Sequence, residues 1–120
     1  MQNEILNKFL EGKSEHAKEL VFHFISEYER VGKPLHVTAL KSMIAISGKK
    51  RAAYIIYLGR DFIDIVFPFK KSYSENLCFT KIKKVPESTD FNHHFRMLFK
   101  EDINQEVKDF MKLALDIANE

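Results

Sequence analysis

The chain has 120 residues, 45% hydrophobic and 12% aromatic, with a formal net charge of +2 and one cysteine. That length predicts a single domain, residues 1–120, and the apolar content supplies a core, which excludes a disordered or low-complexity chain. No apolar run reaches the length of a membrane span, "MQNEILNKFLEGK" lacks the apolar centre of a secretory signal, and the lone Cys78 cannot close an internal disulfide. The expectation is a soluble cytoplasmic protein with no membrane partner.

Residues 4–10 read as a short helix with Ile5, Leu6, Phe9 and Leu10 on its apolar side. In "SEHAKELVFHFISEYERVG", Ala17, Leu20, Val21, Phe24, Ile25, Tyr28 and Val31 recur at helical spacing, with Ser14 placed to cap the start and Gly32 to stop the end. The period then changes. Stretches 42–46, 51–58 and 61–69 are rich in β-branched and aromatic residues and predict strands, joined by the four-residue loop Ser47-Gly48-Lys49-Lys50 and a two-residue turn at Gly59-Arg60. Pairing outward from that turn sets Tyr57 opposite Phe62 and Ile56 opposite Ile63. Met43, Tyr54, Ile56, Ile63, Ile65 and Phe67 then share one face, and Ile44, Ala53, Ile55, Tyr57, Phe62 and Val66 the other. Both faces are apolar, so either helices cover both or one is a binding or subunit surface. A fourth strand is expected over 77–85, with Lys81, Lys83 and Lys84 marking an edge, and a fifth over "HHFRMLF". Asp102 with Gln105 has the spacing of a capping box for a last helix that buries Ile103, Val107, Phe110, Met111, Ala114, Ile117 and Ala118. The predicted fold is α+β: an antiparallel meander of about five strands packed with two N-terminal helices and one C-terminal helix.

Charge is segregated along the chain. Residues 1–40 carry 5 basic and 6 acidic side chains, residues 41–100 carry 12 and 5, and residues 101–120 carry 2 and 6. A basic middle between acidic ends is what an anionic partner would select, and also what a sheet matched to its own helices would show.

In "FNHHFRM" the histidines are adjacent. On a strand they point to opposite faces, so they cannot chelate one metal together. His93 falls with Phe91, Phe95, Met97 and Phe99. It is either a hydrogen-bonded core histidine or a polar group at the mouth of an apolar pocket. His94 falls with Asn92 and Arg96, a solvated cationic edge or an anion contact with Arg96 as a bidentate fork.

"KSMIAISGKKRAAYI", the following hairpin, "NHHFRM" and "KEDINQEVKDFMKLA" together resemble an uncharacterised bacterial and archaeal domain family, itself similar to the YdhG-like domains, over roughly Thr38 to Ala118. The resemblance implies a polar signature at Lys41, His93 and Arg96. Ala53-Tyr54 stands where a phenylalanine is common, and Ile46 stands where an aromatic residue is usual. Related domains occur attached to predicted nuclease modules or carry the label "predicted transport protein". The resemblance implies a fold rather than an activity.

Other constellations point to no chemistry. His16, Glu19, His23 and Glu27 share a helix face, but one face cannot surround an ion, so no metal is expected. Cys78 lies between Leu77 and Phe79 with no activating neighbour in sequence. "SGKK" is a hairpin turn rather than a phosphate loop, and Asp61, Asp64 and Glu75 make no convincing nuclease set. No cofactor is expected, and catalysis is the least supported class. Three binding readings remain: nucleic acid or another polyanion on a basic sheet region, a small anionic ligand in a pocket ended by Lys41, His93 and Arg96, and a homodimer or partner contact through the second apolar face. The candidate ligand-binding residues are Lys41, Arg51, Tyr54, Lys81, His93, His94 and Arg96, with Lys83, Lys84 and Tyr57 adding charge and a stacking ring.

Overall fold

The computed structural model describes residues 2–120, apart from the side chains of residues 2, 3 and 5, so Ile5 lies outside the described side chains. Helix α1 (Gln2–Phe9) leads through a turn to α2 (Glu15–Glu29). Ser14 caps α2 as predicted: its Oγ accepts from the Ala17 N–H at 3.0 Å. Gly32, at φ +79°, turns the chain away in the left-handed region that glycine adopts most readily. The stripe from Ala17 to Tyr28 is buried, and each large apolar side chain in it contributes about 1.5–3 kcal/mol.

Six strands follow, not five: β1 (His36–Ala39), β2 (Ile44–Ser47), β3 (Arg51–Leu58), β4 (Ile63–Phe69), β5 (Lys81–Lys84) and β6 (Phe91–Met97). The extra strand, β1, is a four-residue edge whose "HVTA" carries too little pattern to separate from a loop. All pairs are antiparallel. The order β1-β2-β3-β4-β6-β5 departs from a meander once, where the 70–80 connection carries the chain past β6 to the outer edge. The expected strand over 77–85 shrinks to four residues because Leu77 and Cys78 form a turn, and the chain joins β6 only from the Thr80 N–H, which donates to the His94 carbonyl at 2.7 Å.

Register is where the structure differs most from the sequence reading. The β3–β4 loop spans four residues, with the Gly59 N–H donating to the Phe62 carbonyl at 2.8 Å. The Phe62 ring lies over Gly59: a Cβ there would meet that ring at 2.6 Å, so any larger residue would have to push the ring aside. Leu58 therefore pairs with Ile63 and Tyr57 with Asp64, then a bulge at Ile56 resets the ladder so that Ile55 pairs with Ile65. A one-residue change in register exchanges faces. Ile63, Ile65 and Phe67 consequently join Ile55 and Ile44 in the core rather than Tyr54 and Met43.

All three helices pack on that one face. The last, α3 (Gln105–Ala118), is capped by Asn104, whose side chain accepts from the Val107 N–H at 3.0 Å. Asp102 serves a different turn. Its carboxylate accepts from the backbone N–H groups of Leu98 and Phe99 at 2.8 and 2.9 Å, closing the 3₁₀ turn Lys100–Asp102. The end of α3 clasps the β2–β3 hairpin, the Lys50 N–H donating to the Ala118 carbonyl at 2.8 Å. Tyr28 ties α2 to α3 through a buried hydrogen bond to the Met111 carbonyl at 2.8 Å.

Candidate functional site

Because β6 alternates, its two histidines part company. His93 is fully buried on the helix face. Its Nδ1–H donates to the Phe91 carbonyl at 2.9 Å, and its Nε2 accepts from the Tyr73 N–H at 3.0 Å. Both ring nitrogens are thus satisfied by backbone, in a cage of Phe69, Phe79 and Tyr73 with ring centroids 5.0, 4.9 and 5.6 Å away. Burial holds its pKa below the ordinary histidine value. It is a neutral core histidine that fixes the 70–80 connection onto the sheet.

Among the described residues no helix covers the opposite face of the sheet. There β3, β4 and β6 present a hollow of about 740 Å³ floored by Met43, Ile56, Val66, Pro68 and Val85, with Arg51, Tyr54, Asp90, Asn92 and His94 around it. Next to it lies a second hollow of about 340 Å³, formed by Ile56, Asp64, Thr80, Lys81, His94 and Arg96. Ile56 and His94 belong to both, so the two make one groove across the strands. Lys83 pairs with Asn92, and Lys81 with His94, so both lysines stand on this face, while Lys84, next in the strand, points away from it.

Electrostatics distinguish these groups. Arg96 is already engaged: Nε donates to Asp64 Oδ1 at 2.9 Å and an Nη to Oδ2 at 3.2 Å, with the guanidinium 4.0 Å above the Phe62 ring. The fork expected for an outside anion holds an internal carboxylate. Among the described residues Arg51, Lys81 and Lys83 make no ion pair, and Asp90 is bound by Lys70 at 3.2 Å. The Arg51 guanidinium lies 5.9 Å from the Tyr54 ring centroid. Partial burial, then the nearby Lys81, lower the pKa of His94, outweighing Asp64. His94 is therefore a neutral ring at neutral pH, able to stack and to donate or accept one hydrogen bond.

Of the predicted residues, the fold brings together Arg51, Tyr54, Lys81, His94 and Arg96. Lys41 sits exposed at the corner of the β1–β2 turn, and His93 is walled off on the other face. Lys41, His93 and Arg96 do not converge, so the pocket they were expected to end is not built. Tyr57 is exposed at the far end of the open face, its ring 5.8 Å from Phe62. Asn92, Val66 and Pro68 were missed. Alternation from His94 reaches Asn92, but Val66 and Pro68 needed the true register. Val85 and Asp90 needed the crossover.

Elsewhere, burial and the neighbouring Glu106 push the Cys78 thiol up to about 12, which keeps it protonated and unreactive. On α2, His16 Nε2 is hydrogen-bonded to the Leu98 carbonyl at 2.6 Å, and His23 lies 3.7 Å from Glu27. Among the described residues no group of three or more His, Cys, Asp or Glu side chains could hold a metal ion, and no helix is long and apolar enough to cross a membrane. No protein-family model matches the chain, and no curated protein or solved structure does.

Proposed function

We propose that the protein is a non-catalytic binding domain that takes a polyanion, nucleic acid foremost, on the open face of its sheet. The observation that carries this reading is the groove itself: an uncovered face on which Arg51, Lys81 and Lys83 stand without acidic partners around the half-buried rings of Tyr54 and His94. A cation that no internal carboxylate neutralises is free to release a counterion from a phosphate. Self-association through the same face is the weaker reading, because a two-fold contact would bury two copies of one patch on which Arg51, Lys81 and Lys83 have no acidic partners.

Binding of a labelled nucleic acid over a salt series tests it. Three phosphate contacts give a slope of log K against log salt of about −2 for a single strand, or roughly a twenty-fold loss between 50 and 200 mM. The triple variant Arg51→Ala, Lys81→Ala, Lys83→Ala abolishes that slope. No binding at low salt, or a slope unchanged in the variant, removes the reading.

A further inference from the structure

The groove is more than a patch of charge, and its two halves differ. The smaller hollow is edged by Lys81, a cation without an acidic partner among the described residues and so suited to an oxyanion, by the Thr80 hydroxyl, which donates to the His94 carbonyl, and by Arg96, whose charge Asp64 already holds. The larger has an apolar floor in which Val66 is 4% exposed, and its walls are the Tyr54 ring and the His94 ring. A polyphosphate or sulfated chain has no apolar part to set on such a floor. A duplex presents its phosphates but keeps the faces of its bases stacked inside. An unpaired base offers what this hollow asks for: a flat apolar face for two rings and an edge of donors and acceptors. The Asn92 side chain, on the same rim, presents both a donor and an acceptor to such an edge. Because His94 is uncharged at neutral pH, it joins Tyr54 as a stacking wall. His94 also lines both hollows, so a base in the larger would place its own phosphate beside Lys81.

We infer that the ligand of the open face is single-stranded nucleic acid, held with one unstacked base in the larger hollow between Tyr54 and His94 and the adjoining phosphate in the smaller hollow at Lys81. This rests on the polyanion reading and narrows it to strands whose bases are free.

Fluorescence anisotropy at one low salt concentration, with three probes of about 12 nucleotides, separates the two levels of the argument. The probes are a single-stranded DNA, its duplex, and an abasic strand with the same number of phosphates. The single strand binds about ten-fold or more tightly than the other two. Tyr54→Ala removes most of that advantage and leaves the abasic strand unchanged, Tyr54→Phe retains it, and His94→Ala gives the same pattern as Tyr54→Ala if the latter folds poorly. Lys81→Ala weakens all three probes alike. Equal affinity for the three probes, or a Tyr54→Ala loss as large on the abasic strand, overturns the base-insertion proposal while the polyanion reading stands. No binding of any probe overturns both. A dimer at micromolar concentration that Ile56→Glu dissolves would assign the groove to a second copy and also overturn it.

Discussion

The two sides of β6 show how one sheet divides its tasks. On the helix side, His93 sits among Phe69, Phe79 and Tyr73, its nitrogens are both taken up by backbone, and no solvent reaches it. On the open side, His94 shares a groove with Tyr54 and Lys81, and its half-buried ring has no hydrogen-bond partner among the described residues. The two residues are covalent neighbours of the same type, yet their environments give one a structural task and leave the other available to a ligand. Aromatic residues mark both faces, and what separates them is whether a helix lies above. Substitutions on the covered face should therefore change stability and leave binding intact, and those on the open face the reverse.

The strongest test of that division is Phe110→Ala. Phe110 brings α3 against the aromatic cage, with ring centroids 4.8 Å from Phe79, 5.0 Å from Tyr73 and 5.7 Å from Phe69. Removing a core ring leaves a cavity and costs about 3–5 kcal/mol. Urea denaturation should show that loss, while the fraction still folded keeps its affinity for a polyanion. A loss under 1 kcal/mol would mean the cage is not the core of this domain.

The histidines give a smaller and more pointed comparison. His93→Ala leaves the partly buried Tyr73 N–H without an acceptor and should cost about 1–3 kcal/mol, whereas His94→Ala should stay within about 0.5 kcal/mol. The pH dependence follows from the same burial. Both histidines have folded pKa values held below the ordinary one, so the unfolded chain takes up protons first as the solution is acidified. Their contribution to stability is complete above the unfolded value near 6.5, and it declines as pH falls from there towards the folded values. Urea midpoints between pH 8 and 5 should therefore fall with acidification, and the fall should be shallower in His93→Gln, which cannot titrate. An equal slope in wild type and His93→Gln would contradict the closed cage.

Much of this architecture was legible in residue order, for identifiable reasons. The helices were, because the apolar stripe of α2 repeats over four turns and Ser14 and Gly32 punctuate it. The divergence of His93 and His94 was, because alternation depends only on β6 being a strand. The composition of the groove was not. Reading the four-residue loop as a two-residue turn slides β4 by two residues, which keeps its faces; the bulge at Ile56, which has no sequence marker, is what sets Ile63, Ile65 and Phe67 with Ile55 and not with Tyr54. Nor could spacing reveal that β6 enters between β4 and β5, which is what brings Lys81 beside His94 and Asp64 beside Arg96. Lys41, His93 and Arg96 formed a set only through the family resemblance, since alternation along β6 already puts His93 and Arg96 on opposite faces.

Asp64 and Arg96 make the finest test of the open face, because there the sequence pointed to a binding residue and the fold supplies an internal partner. The pair lies directly across β4 and β6, joined by two hydrogen bonds and stacked on Phe62, with solvent on its outer side. Such a pair adds little to stability, so Asp64→Ala should unfold in urea close to wild type. Its effect should fall on binding instead. Removing the carboxylate frees the Arg96 fork and takes one negative charge from the smaller hollow, so affinity should rise, and the salt slope for a single strand should steepen by about 0.7, one more phosphate contact. Arg96→Ala alone should leave the slope nearly unchanged, since that guanidinium is engaged within the protein. If Arg96→Ala flattens the slope and Asp64→Ala does not steepen it, Arg96 already reaches the ligand in the native protein, and the smaller hollow must open on binding.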